Sequence, residues 1–118
     1  MIEQNLHAVD ARTRSQIQRL LMADEEFIFS VVTSDRIISR WCTRLIATSK
    51  RLLTIRHFLF DTTIRGILMR KVNTIRSHDT KHILIITGDV KTWELEFESA
   101  GEVNELKDKL EQLQSQLS

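Results

Sequence analysis

Basic side chains in one stretch of the sequence are the first candidates for chemistry. Arg36, Arg40 and Arg44 recur at every fourth position, and Lys50 and Arg51 follow in the next turn. Arginine forks match phosphate and carboxylate oxygens two at a time, and lysine adds a mobile point charge. If residues 39–48 form a strand, Arg40 and Arg44 share an outward face with Cys42 and Ile46, opposite Trp41, Thr43, Leu45 and Ala47. Arg36, Arg40, Arg44, Lys50 and Arg51 are therefore the candidate binding residues, poised for salt-dependent docking to an acidic partner or headgroup.

Other constellations point away from catalysis. Cys42 is the single cysteine, so neither an internal disulfide nor a four-thiolate zinc site can form, and no histidine is evidently placed to activate it. His78 and His82 have the four-residue spacing of helical metal ligands. Their segment instead reads as a turn (Ser77 to Thr80) entering a strand, with no third ligand nearby. Asp24-Glu25-Glu26 reads as a solvated junction, and Glu94, Glu96 and Glu98 alternate on a surface face. Gly66, Gly88 and Gly101 are isolated, so no glycine-rich phosphate loop exists. No enzymatic activity, cofactor or metal is expected.

Charge is segregated along the chain. Residues 1–35 carry net −3, residues 36–82 net +9 and residues 83–118 net −5, for an overall +1. A basic middle between acidic ends suits a protein partner, a second copy of the chain or an anionic membrane surface. Nucleic acid is disfavoured, because the acidic final strand and helix repel phosphates and the aromatics Trp41 and Phe58 read as core. No apolar run approaches the length of a membrane span, and the start lacks a secretory core, so a cytoplasmic location is expected.

At 118 residues the chain is sized for one domain. Residues 1–23 read as a helix, with Leu6, Val9, Thr13, Ile17, Leu20 and Leu21 at three- and four-residue spacing and Asn5 or Asp10 as its cap. Residues 26–98 read as about seven short strands, opened by the β-branched and aromatic run Phe27 to Thr33. Turns are placed at Ser34-Asp35, at Thr48-Ser49-Lys50, at Asp61-Thr62-Thr63 and at Gly88-Asp89-Val90. In the clean alternation of residues 91–98, Trp93, Leu95 and Phe97 share a face. Residues 99–117 read as a helix started by a Ser99–Glu102 capping box, with Val103, Leu106, Leu110, Leu113 and Leu117 in one stripe. Trp41, Leu53, Ile55, Trp93, Leu95, Phe97, Leu106 and Leu110 are the expected core.

This α+β, mainly β layout resembles the pleckstrin-homology-like (PH-like) superfold, a barrel of about seven antiparallel strands capped by a C-terminal amphipathic helix, here with an extra N-terminal helix. Leu45-Ile46-Ala47-Thr48-Ser49-Lys50-Arg51-Leu52-Leu53 and Met69-Arg70-Lys71-Val72-Asn73-Thr74-Ile75 are similar to recurrent strand patterns of small bacterial PH-like domains, YokE-like and GRAM-like. The likeness covers Glu26 to Leu117. It implies a non-catalytic scaffold that binds proteins, peptides or anionic lipids. The lysine-rich first loop of lipid-binding members is absent, and Asp35 stands within it.

Overall fold

The computed structural model describes residues 2–33, 42–58, 61–78 and 82–117, with only the backbone of residues 42, 57, 58, 61 and 117. A short strand β1 (Ile2–Glu3) and a 3₁₀ turn (Leu6–Ala8) precede helix α1 (Ala11–Leu20). Strands β2 (Phe27–Val32), β3 (Cys42–Thr48), β4 (Arg51–Phe58) and β5 (Asp61–Leu68) follow. After a second 3₁₀ turn (Met69–Lys71) come β6 (Val72–Ser77), β7 (Ile83–Gly88), β8 (Thr92–Glu96) and helix α2 (Ala100–Leu117). The strands form two antiparallel sheets, β1-β2-β3-β4-β5 and β6-β7-β8.

The expected barrel is not closed. Strands β5 and β8 are each the last in their sheet, with no ladder between them. The inward positions of β5 nearest the opening are Thr63 and Arg65, both exposed. Such side chains keep their water, so apolar burial does not draw the two edges together there.

The N-terminal segment also departs from one continuous helix. Ile2 pairs with Val31 and Glu3 with Ser30, which commits the first residues to the sheet. Both candidate caps are used, one for each helical piece. Asn5 accepts the His7 N–H at 2.9 Å, and Asp10 accepts the Thr13 N–H at 3.1 Å. Asp61, Thr62 and Thr63, expected as a loop, open β5 opposite Phe58, His57 and Arg56. The β-branched threonines fit this pleated pairing. The Ser34-Asp35 turn and Trp41 lie outside the described residues.

Two cores sit on opposite faces of the five-stranded sheet. Between the sheets, Phe29, Val31, Leu45, Ala47, Leu52 and Ile67 meet Leu84, Ile86, Trp93 and Phe97, with Val103, Leu106 and Leu110 of α2 closing the end. On the other face, Ile46, Leu53 and Ile55 are covered by Val9 and Ile17, with Leu6, Leu20, Leu21 and Phe27 around them. Leu53 and Ile55 are thus core residues, but beneath α1 rather than between the sheets. Helix α2 starts where the Ser99 hydroxyl accepts the Glu102 N–H at 3.1 Å, and Gln114 donates to the Val72 carbonyl at 2.7 Å.

Candidate functional site

The docking of the N-terminal segment decides where the candidate basic residues go. Arg44 lies on the outward face of β3, yet the segment covers that face and leaves Arg44 8% exposed. Its guanidinium donates to the Glu3 carboxylate, and to Asp10 Oδ1 at 3.3 Å. Glu3 is delivered by the β1–β2 pairing and also accepts from the Ser30 hydroxyl at 2.9 Å. Burial lowers the Arg44 pKa from its ordinary value, and the two carboxylates answer the charge.

Arg51 grips Glu25 with both prongs, at 2.8 and 2.9 Å, and reaches the Leu20 carbonyl at the end of α1. A guanidinium there meets the negative end of the helix dipole. Glu25 also accepts from the Thr48 hydroxyl at 2.6 Å and the Met22 N–H at 3.0 Å. Burial alone would raise its carboxyl. The Arg51, Thr48 and Met22 hydrogen bonds outweigh that and hold it at about 2. Glu25 is therefore a buried anchor, not the solvated residue its acidic neighbours suggest. Lys50 pairs with Asp24, whose carboxyl it holds below the ordinary value. Arg44, Lys50 and Arg51 thus all face carboxylates of the N-terminal segment and do not gather on an open basic face. Arg36 and Arg40 lie outside the described residues.

A different polar set lies where the sheets part. A cleft of about 220 Å³ is lined by Thr43, Thr54, Arg56, Thr63 and Arg65 of the large sheet and by Thr92, Trp93, Glu94 and Leu95 of β8. Strand register builds one side as a checkerboard, with Thr43 opposite Arg56, Arg56 opposite Thr63, and Thr54 opposite Arg65. Arg56 Nε donates to the Thr43 hydroxyl at 3.2 Å, which turns that guanidinium across the sheet toward β3. Trp93, 7% exposed, lines the cleft from the second sheet.

The cleft is also bordered by strand edges. In an antiparallel strand, alternate residues turn both backbone groups to the same side. The Phe97 N–H and the Lys91 carbonyl bond toward β7, at 2.7 and 2.8 Å, so Thr92 and Glu94 present theirs to the opening. On β5, the Gly66 carbonyl takes a long 3.5 Å contact from the Lys91 ammonium, so Ile64 also turns its backbone to the opening. Beyond Lys91, a second hollow of about 240 Å³ is lined by residues 66–68, 71 and 88–91.

Sequence reasoning passed over Arg56 and Arg65. A signal was present. The tripeptide Thr-Ile-Arg occurs at 54–56, 63–65 and 74–76, and antiparallel register sets the first two side by side. In these two copies isoleucine points out while threonine and arginine point into the cleft, whereas Ile75 of the third copy is core.

Among the described residues, no group of three His, Cys, Asp or Glu side chains could hold a metal ion, and no helix is long and apolar enough to cross a membrane. No family model matches the sequence, and no curated protein matches it. Among solved structures, the chain is similar to p115-RhoGEF, in a crystal structure of its N-terminally truncated linker-DH/PH domains, with a TM-score of 0.67 and 11% identity. The match covers 97% of this chain and 36% of that one. Two antiparallel sheets, a C-terminal helix and this likeness together give the chain a PH-like fold.

Proposed function

We propose that this chain is a non-catalytic binding module that engages a protein partner at the open seam between β5 and β8. One observation carries the reading: two unclosed sheets end on strand edges that flank a cleft furnished with arginines, threonines and a tryptophan. A seam of this composition offers hydrogen-bond donors and acceptors in fixed positions, which is what recognition of a polypeptide uses. The cytoplasmic location, and the narrower likeness to bacterial YokE-like and GRAM-like domains, belong to the same proposal. Assembly of two copies through oppositely charged faces is its homo-oligomeric form.

The second reading is an anionic headgroup held by Arg36, Arg40, Lys50 and their neighbours. It is favoured by the exposure of the Lys50–Asp24 pair, whose side chains are 40% and 74% exposed and separable at small cost. It is opposed by the carboxylates that occupy Arg44 and Arg51.

Two experiments on the purified chain decide between them. The first is selection from a displayed library of random ten-residue peptides. The second is flotation with neutral and anionic vesicles across a salt series. The protein-binding reading expects enriched peptides that bind in solution and are lost with Arg56→Gln. Flotation confined to anionic vesicles, with no peptide enriched, would overturn it in favour of the headgroup.

A further inference from the structure

We propose that the outer face of the three-stranded sheet binds the same face of a second copy of this chain, about a two-fold axis that runs along β7. This rests on the two-copy form of the binding reading and names the surface which that form uses.

Strand β7 opens Ile83-Leu84-Ile85-Ile86, apolar at four successive positions. Such a run belongs to a strand covered on both faces. Within the chain the core covers one of them. Leu84 and Ile86 are buried between the sheets, while Ile83 and Ile85 are half-buried and lie outside both cores. Register sets Arg76 of β6 and Glu94 of β8 on either side of Ile85, all three on the outer face, with both charged side chains exposed. Neither makes an ion pair among the described residues. His78, Ile83 and Glu96 form the next row. His78 and Glu96 each interact within the chain, so the charge argument uses Arg76 and Glu94 alone. Thr74, Thr87 and Thr92 form the row on the other side.

Two sheets that meet face to face about a two-fold axis can have that axis along their strands or across them. An axis along β7 lays β6 of one copy over β8 of the other. Arg76 of each copy then faces Glu94 of the other, and Ile83 and Ile85 meet their own counterparts. An axis across the strands lays β6 on β6, so Arg76 opposes Arg76 and Glu94 opposes Glu94. Charge therefore selects the first arrangement and works against the second. Three strands of five or six residues offer less than the roughly 800 Å² per partner of a standard interface, so the dimer is weak and forms at high concentration.

Sedimentation equilibrium of the whole chain, from about 10 µM to about 1 mM, tests this. A reversible monomer–dimer equilibrium is expected. Arg76→Glu alone and Glu94→Arg alone should each weaken it by about tenfold or more, and the two changes in one chain should restore it. A mixture of the two single variants should associate about tenfold more tightly than either does by itself, because every facing pair is then unlike in sign. Loss of structure cannot produce either gain. A monomer at every concentration would overturn the dimer. So would a dimer indifferent to the single reversals, or one that neither the double variant nor the mixture recovers. The random-peptide selection, repeated on the Arg76→Glu chain, reports on the seam alone. Enriched peptides without a dimer overturn this inference and leave the seam reading in place; a dimer without enriched peptides does the reverse.

Discussion

Arg51 holds both carboxylate oxygens of Glu25, and the same guanidinium reaches the last carbonyl of α1. One side chain at the β3–β4 turn therefore fixes the helix end and the strand that leaves it. Removing either partner strands a buried charge. Arg51→Met and Glu25→Gln should each lower stability by about 3 kcal/mol, read as a fall in urea midpoint. The double variant should lose less than the sum of the two.

The same pair sets an acid limit. The Glu25 carboxyl lies at about 2 in the folded chain against an ordinary 4.5. A lowered folded value gives stability that is complete above the ordinary value and is lost as pH falls from about 4.5 toward 2. The loss should amount to about 3 kcal/mol. Urea melts between pH 6 and 2.5 test this, and the Glu25→Gln chain should show a shallower decline.

Arg44 is buried against Glu3 and Asp10, residues 41 and 34 positions away in sequence. Glu3→Ala should cost about 3 kcal/mol by leaving the guanidinium short of an anion. Replacing both groups by apolar residues, as Glu3→Leu with Arg44→Met, should cost less than Glu3→Ala alone, because no charge then has to leave water. Equal losses would assign Glu3 a role in strand pairing rather than in charge compensation.

The two cores should answer mutation independently. Ile17 of α1 and Leu106 of α2 are both fully buried, on opposite sides of the large sheet. Each change to alanine should cost about 2–5 kcal/mol. Their effects should add within about 0.5 kcal/mol. An unchanged melting temperature for Leu106→Ala would show that α2 does not cap the sheets.

Much of this fold was legible because local pattern determines it. The Val9, Thr13, Ile17 stripe, the alternation through Trp93 and Phe97, and the Ser99 cap each depend on neighbours a few residues away. The side on which a strand buries a residue is a different matter. Leu52 and Leu53 are adjacent and both buried, so period two gives no preferred face on β4. Only the arrival of α1 tells the two sides apart. The pairing of the candidate arginines has the same origin. Arg44 and Arg51 look available along the sequence, and the carboxylates that occupy them come from a segment whose docking no local signal announces. Arg56 and Arg65 come together only through strand register, so their shared cleft is invisible until β4 and β5 are aligned.

The cover over Ile46, Leu53 and Ile55 has a consequence for synthesis. Residues 2–21 leave the ribosome before the surface on which they rest exists, since that surface needs β3 and β4 to pair first. The amphipathic leading segment must wait, apolar stripe exposed, for at least the length of chain up to Phe58. Glu3 and Asp10 within it, and Asp24 and Glu25 just after it, are the carboxylates that become its grips once the basic residues of the β3–β4 hairpin arrive. The charges that lock the finished domain are thus also water-seeking groups on its unfinished form.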